Sequence, residues 1–529
     1  MAENNNNNNT GKKSFVAGAA ILGVAGLITK LLGAVFRIPL ANIIGASGMA
    51  YYQTAYPVYV MLLMVSTTGL PTAISRMVAE RRAVGQYYEA HRVFKISFKL
   101  MLALGLVTGI GLFVLAPAIC RFQMEPDAVY AMRATAPALI LCPMMSCFRG
   151  FFQGRKTMTP TAVSQIAEQF FRVGLGLFLA YLLLKIDAPH AAAGASFGAT
   201  AGALFGFIAV YIVYLKKKNE IVGEFTDKTP VKTTKEIFKE ILIIAVPITI
   251  GAGIMPIMNW IDTLVVKRRL LAIGYSNEVA RTMFGELSGL AAPIINFPNV
   301  FTSAVCMSLV PVITDAFKRE DHDFIRENAS LSLRYSAIII MPCAAGLVTL
   351  AQPIMKLLYP RQLESAVAAA PCLAIYAVGM IFLSTTQATN GVLQGIGKQM
   401  IPVTSLLAGA IVKFIATFTL TGIPSLNVKG AAFGSLLANL TAATCNLIAV
   451  KRFTGFKIDW ILSCIKPLAS SVVMAGFVLG AFKVASLKFG NTISTFIGIM
   501  VGVVIYVLMV FITKTITFAE LKKMLKRGK

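Results

Sequence analysis

Two bases lie inside the first apolar run of this chain. The stretch Ala17–Leu40 is long and apolar enough to cross a bilayer, yet it contains Lys30 and Arg37. A basic side chain at the centre of a membrane helix costs about 2.5–3.5 kcal/mol on insertion scales, so it is kept where it faces a polar cavity or a partner. Lys30 and Arg37 stand two helical turns apart on one face and form a cationic stripe about 10 Å long. Such a stripe suits a diphosphate, because a guanidinium forks phosphate oxygens and an ammonium supplies a point charge.

More ionisable residues fall within or at the ends of later apolar runs. The candidate anion ligands are Lys30, Arg37, Arg76, Arg149, Arg172 and Lys413. The acids Glu168, Asp262 and Glu286 have two readings: they neutralise basic neighbours, or they bind a coupling cation. Glu168 and Arg172 are four apart, so they can also pair with each other on one helix. Arg268 and Arg269 follow Lys267 after the seventh apolar run, where basic residues are otherwise sparse. Either they snorkel to headgroups or they act on the outer face.

Other chemistries lack their residues. Gly397-Lys398 is followed by Gln399 and has no upstream glycine at phosphate-loop spacing. There is no GxSxG elbow and no HExxH. The histidines 91, 190 and 322 are scattered outside the apolar runs, and the eight cysteines form no CxxC pair, so no metal site and no catalytic cofactor are expected. The net charge of +26 does not point to nucleic acid, because the Lys and Arg residues sit mostly between apolar runs, where they orient a membrane protein.

The elements that must hold these residues are membrane helices. The chain is 57% hydrophobic and 14% charged, with a mean hydropathy of +0.73. An all-α polytopic membrane protein is expected, since backbone in lipid must satisfy its own hydrogen bonds. About fourteen spans are read, the first two near 14–38 and 50–74. About 28 basic residues fall on the side of both termini against about 12 on the other, which places both termini in the cytoplasm. No cleavable signal peptide is read at the start of the chain.

The halves repeat at an offset of about 240 residues. Gly69-Leu-Pro71 recurs as Leu309-Val-Pro311. Gly150-Phe-Phe-Gln-Gly154, then Pro160, recurs as Gly391-Val-Leu-Gln-Gly395, then Pro402. Gly194-Ala-Ser-Phe-Gly198 recurs as Gly430-Ala-Ala-Phe-Gly434. Two six-span lobes in parallel orientation follow. The expected organisation is a disordered tail at 1–13, an N-lobe at 14–215, a cytoplasmic linker at 216–237, a C-lobe at 238–450, two extra spans at 451–514 and a basic tail at 515–529. The extra spans either build a groove or pack on the second lobe. Glycines 194, 198, 202 and 206 make a stripe that lets a neighbouring helix approach closely.

Two segments are specific enough to compare with a known family. One is Lys30-Leu-Leu-Gly-Ala-Val-Phe-Arg37-Ile-Pro-Leu, continuing to Ile44-Gly45 and Tyr51-Tyr-Gln53-Thr-Ala-Tyr56-Pro57. The other is Thr68-Gly-Leu-Pro71-Thr-Ala-Ile-Ser75-Arg-Met-Val-Ala-Glu80. With Asp262 to Leu270 and Asn296-Phe-Pro298, they closely resemble the stage V sporulation protein B family. That family stands with the MurJ-type lipid II flippases in the multidrug/oligosaccharidyl-lipid/polysaccharide exporter superfamily. The resemblance implies a non-enzymatic transporter in the bacterial cytoplasmic membrane with two pseudo-symmetric six-helix lobes plus two C-terminal helices. Its implied cargo is an undecaprenyl-diphosphate-linked saccharide, lipid II first, moved by alternating access. Capsule, exopolysaccharide or spore-cortex precursors are the alternative cargo. Lys30 and Arg37 match the basic residues of the first span that such flippases need, with Lys30 where an arginine is typical. The implied partners are the anionic lipid-linked substrate, membrane lipids and cell-wall synthesis enzymes. Coupling to Na+, H+ or membrane potential stays open. A cation-coupled multidrug exporter is disfavoured, because two bases in the first span repel a cationic drug. A non-transporting envelope scaffold is the reading from another class.

Overall fold

The computed structural model describes residues 2–225, 229–456 and 458–515, without the side chains of 2–22, 24, 27, 30, 34, 65, 66, 247 and 250. The described residues are mainly helical, and no strand occurs among them. The helices are α1 (Ala2–Thr67), α2 (Gly69–Ala83), α3 (Tyr87–Phe122), α4 (Val129–Thr135), α5 (Ala138–Gly154), α6 (Thr159–Leu183), α7 (Ala188–Gly223), α8 (Thr234–Ala272) and α9 (Asn277–Gly285). A π-helical turn, Glu286–Ala291, leads into α10 (Ala292–Ile294). The rest are α11 (Asn296–Lys318), α12 (His322–Thr349), α13 (Ala351–Leu358), α14 (Leu363–Gly395), α15 (Met400–Thr421), α16 (Lys429–Thr454), α17 (Lys466–Ser486) and α18 (Asn491–Ile512).

Among the described residues, 12 segments are long and apolar enough to cross a bilayer. A bent pair, Thr234–Val246 with Gly251–Ala272, meets at 52° and adds one more. One of the 12, Leu31–Ala83, is 53 residues long, more than twice the roughly 20 that one crossing takes. Within it Gly45 has φ 71° and ψ 179°, a left-handed break that only glycine adopts cheaply. That segment covers the end of the first expected span and the whole of the second, so the count agrees with about fourteen.

The chain divides into two compact units, 1–263 and 264–529. In the first, the glycine stripe sets how α7 lies on α6. A Cβ at Gly198 would come 2.6 Å from the Arg172 carbonyl oxygen, and one at Gly202 would come 2.5 Å from that of Glu168. The small residues thus let α7 press on the backbone of the helix that carries two candidate residues. In the second unit α15 and α16 make the same contact. A Cβ at Gly430 would lie 2.4 Å from the Leu420 carbonyl carbon and the Thr421 nitrogen, as one at Gly194 would lie 2.7 Å from the Leu179 carbonyl. Gly198 faces Gly176, and Gly434 faces Thr417. In this register Ala180 corresponds to Thr421, Gly176 to Thr417 and Arg172 to Lys413, so the sequence repeat is also a repeat of packing.

The last two spans pack on the second unit. Met474 and Val478 of α17 and Tyr506 and Val510 of α18 form one buried cluster with Ile338 of α12 and Leu350. The Tyr506 hydroxyl donates to the Ile338 carbonyl at 2.8 Å.

In the first unit, the segment after α7 is fastened by ion pairs. Arg82 and Arg155 both reach the Glu224 carboxylate, at 2.5 and 2.8 Å. Arg81 bonds Glu240 at 2.7 Å, and Lys232 pairs with the same carboxylate. Glu89, buried on α3, accepts from the backbone nitrogens of Val231 and Lys232.

Candidate functional site

The first unit gathers three of the candidate bases around aromatic and acidic partners. Before the break at Gly45, α1 carries Arg37. After it, α1 carries Tyr52, Tyr56 and Tyr59, spaced so that all three share a face. Tyr52 and Tyr56 stack with ring centroids 5.4 Å apart, and Tyr59 follows at 6.1 Å. The Arg37 guanidinium lies 5.3 Å from the centre of the Tyr56 ring. Arg172 of α6 lies 5.6 Å from the same centre and donates to the Tyr56 hydroxyl at 3.2 Å. One ring therefore holds two cations, and neither has a carboxylate ion-pair partner among the described residues.

Arg149 of α5 behaves differently. Its Nη2 donates to Glu168 Oε2 at 2.9 Å and its Nε donates to Ser164 Oγ at 2.7 Å, so its charge is neutralised across the α5–α6 interface. The expected alternative, Glu168 closed on Arg172 along α6, does not hold: Glu168 takes Arg149, and Arg172 turns to Tyr56. Beside this pair is a cavity of about 430 Å³ lined by Thr68, Thr72, Ser146 and Gln165 as well as Arg149 and Glu168. Gln165 Oε1 is buried with no hydrogen-bond partner. The site thus combines fixed donors, a neutralised arginine and two cations without a carboxylate, an arrangement suited to an anion with several oxygens.

The other candidates are placed as follows. The Lys30 side chain lies outside the described residues. Arg76 is 65% exposed and pairs with Glu80 one turn on, away from this cluster. Asp262 is half-buried on α8. In the second unit, Arg268 is exposed, whereas Arg269 lies over the Phe418 ring at 4.3 Å. Glu286 is buried in the π-helical turn and hydrogen-bonds with Ser365. Lys413 is 4% exposed on α15. Lys267 is equally buried, although the sequence reading grouped it with Arg268 and Arg269. Sequence reasoning also missed Tyr56 and Ser164 as partners and Gln165 as a cavity residue. The Tyr52, Tyr56 and Tyr59 spacing was the available signal for the first; nothing marked the others.

The second unit also holds an apolar cavity of about 600 Å³, lined by Phe297, Pro342, Leu347, Met474, Val478 and Tyr506 among others.

Comparison with known proteins gives three consistent findings. A family profile described as polysaccharide biosynthesis protein matches residues 15–317, and a MatE profile matches residues 288–419. The chain is 27% identical to the lipid II flippase MurJ of Bacillus subtilis (strain 168), over 88% of this chain and 89% of that protein. It is 26% identical to stage V sporulation protein B of the same organism, over 97% and 98% respectively. Among solved structures, lipid II flippase MurJ in an inward closed conformation superposes with a TM-score of 0.68 at 15% identity, over 93% of this chain and 98% of that one. An inward-facing multidrug resistance MATE family transporter superposes with a TM-score of 0.64 at 15% identity, over 83% and 98%. The MurJ relative is named as a flippase and the two solved structures as a flippase and a transporter, the class the sequence led us to expect.

Proposed function

This chain belongs to the polysaccharide biosynthesis protein family, and from that premise we propose that it flips a lipid-linked saccharide carrying a diphosphate across the cytoplasmic membrane, lipid II first. The observation that carries this reading is the pair Arg37 and Arg172 on the Tyr56 ring. Two guanidiniums without carboxylates, inside membrane helices, are expensive unless an anion visits them. The name of one relative, the lipid II flippase MurJ, supports the same cargo class. In this mechanism the diphosphate enters between the arginines, the Thr- and Gln-lined cavity receives polar groups beside it, and the prenyl tail stays among apolar side chains. Alternating access of two lobes then delivers the headgroup to the outer face, with both termini in the cytoplasm. Membrane potential contributes to the return of a cationic site, at about 2.3 kcal/mol per charge per 100 mV.

The test is complementation of cells depleted of their own lipid II flippase, read with an accessibility assay for lipid II in the outer leaflet. The wild-type chain should rescue, and Arg37→Ala/Arg172→Ala at matched expression should not. Failure of a well-expressed wild type would redirect the reading to a capsule, exopolysaccharide or spore-cortex precursor. Rescue by both would remove the two arginines from the mechanism.

A further inference from the structure

The first unit has a second concave site that the transport reading does not use. It is a cleft of about 640 Å³ between α3, α5 and α7, within the size range of small-molecule sites. Its wall is aromatic: Phe94 and Phe98 from α3, Phe148 from α5, and Phe207, Tyr211 and Tyr214 from α7. The rings are mutually fixed, with Phe94 to Phe148 at 5.0 Å, Phe148 to Tyr214 at 5.2 Å and Phe207 stacked on Tyr211 at 5.7 Å. Lys95 and Lys99 complete the lining, one helical turn apart and both exposed. No lining residue is acidic, and neither lysine has a carboxylate partner among the described residues. Behind the cleft, His91 stacks on Phe94 at 5.8 Å, within electrostatic reach of Lys95, Arg155 and Lys218. The charged rim therefore lies at the same end of α3 and α7 as the basic run Lys216, Lys217 and Lys218.

We infer that this cleft is a binding site for an anionic phospholipid of the leaflet on the basic side. Two ammonium groups hold the phosphate at the interface, the Tyr211 hydroxyl lies beside it, and an acyl chain runs down the wall of phenyl rings. Each part follows from the chemistry on the surface. Lysines near a membrane surface attract anionic headgroups, and basic pockets between membrane helices hold them. An aromatic wall that ends in tyrosines matches a ligand apolar along its length and polar at its end. A zwitterionic lipid has no excess charge for the two lysines, and a protein partner has no reason to carry a chain into the cleft. The site is distinct from the Arg37, Tyr56 and Arg172 cluster, so it does not depend on the cargo.

The full-length chain, purified and examined by native mass spectrometry with added phosphatidylglycerol or phosphatidylcholine, tests the site. The wild type should retain phosphatidylglycerol in preference, and Lys95→Gln/Lys99→Gln should lower that retention roughly ten- to thirtyfold, the scale of two surface lysines. Met144→Trp, which narrows the cleft and keeps both lysines, should lower it as well. Lys398→Gln/Lys451→Gln, which removes equal charge elsewhere, should not. Unchanged retention in Lys95→Gln/Lys99→Gln overturns the site, and so does an equal loss in the Lys398 and Lys451 variant. Displacement of phosphatidylglycerol by undecaprenyl diphosphate, lost when Lys95 and Lys99 are replaced, overturns the phospholipid in favour of the cargo.

Discussion

Arg149 on α5 donates to Glu168 on α6 across 2.9 Å, and this pair separates the arginines of the first unit into two kinds. Arg149 is neutralised and structural; Arg37 and Arg172 keep their charge. Removing one partner of a largely buried pair leaves the other uncompensated, whereas removing both does not. Glu168→Ala and Arg149→Ala should each destabilise the protein by roughly 1–3 kcal/mol. The double variant should lose less than their sum, because the residues share one interaction. Thermal unfolding in detergent across the four proteins checks this. Additive losses would show that the ion pair contributes nothing.

Arg172 offers a sharper test of anion recognition. Its guanidinium both bonds the Tyr56 hydroxyl and lies over the Tyr56 ring, a geometry that an ammonium cannot reproduce. Arg172→Lys should therefore bind undecaprenyl diphosphate less tightly than wild type and more tightly than Arg172→Ala. The alanine variant should lose roughly ten- to a hundredfold, the worth of hydrogen bonds to a charged group. Tyr56→Phe, which keeps the ring and loses the acceptor, should have a smaller effect. Binding measured by titration of the detergent-solubilised protein decides. Equal affinity for Arg172→Lys and Arg172→Ala would mean that charge alone plays no part.

Much of this arrangement was legible in the sequence, and what was not has a common cause. Span positions followed from hydropathy, because the membrane imposes one length and one bonding rule on every helix. The glycine stripe and the repeats were legible because small residues must recur wherever backbones touch. The partners of the ionisable residues were not. On α6, spacing allowed Glu168 to pair with Arg172, yet Arg149 from α5 takes the carboxylate and Tyr56 from α1 takes Arg172. Pairing across helices depends on rotation and depth, which no single-helix pattern encodes. Lys267 makes the same point: its position in a basic triplet gave no sign that it is buried while Arg268 is exposed.

The glycine stripe has its own test. A Cβ at Gly198 would stand 2.6 Å from the Arg172 carbonyl oxygen and 2.7 Å from the Gly176 Cα, so α7 would have to move off α6. Gly198→Ala should cost about 1–3 kcal/mol, as overpacking of tight contacts does. It should also disturb Arg172, which leaves the same helix a short distance away. Gly174 lies on α6 with nothing within 4 Å of its added Cβ. Gly174→Ala should be neutral or stabilising by up to about 1 kcal/mol, since alanine is the better helix former. Melting temperatures of the two variants at matched lipid and detergent give the comparison. Equal behaviour would mean that the α6–α7 contact is looser than the structure has it.

The Glu224 clasp makes stability at the end of α7 depend on pH. Burial opposes ionisation of this carboxyl, but hydrogen bonds and charge from Arg82 and Arg155 outweigh it and hold its pKa below the ordinary value of 4.5. A carboxyl with a folded pKa below its unfolded one contributes fully above the unfolded value. The contribution fades as pH falls from about 4.5 through the folded pKa. Between pH 8 and 5 the clasp should hold, and backbone amides around 219–225 should exchange slowly once the intrinsic pH dependence is removed. Below about pH 4.5 protection should fall progressively. Glu224→Gln, which cannot ionise, should exchange faster already at pH 7 and show little further change on acidification. Arg155→Gln should move the onset of exchange to higher pH, because one of two arginines still holds the carboxylate. If wild type and Glu224→Gln exchange alike at pH 7, the two arginines do not fasten this end of α7.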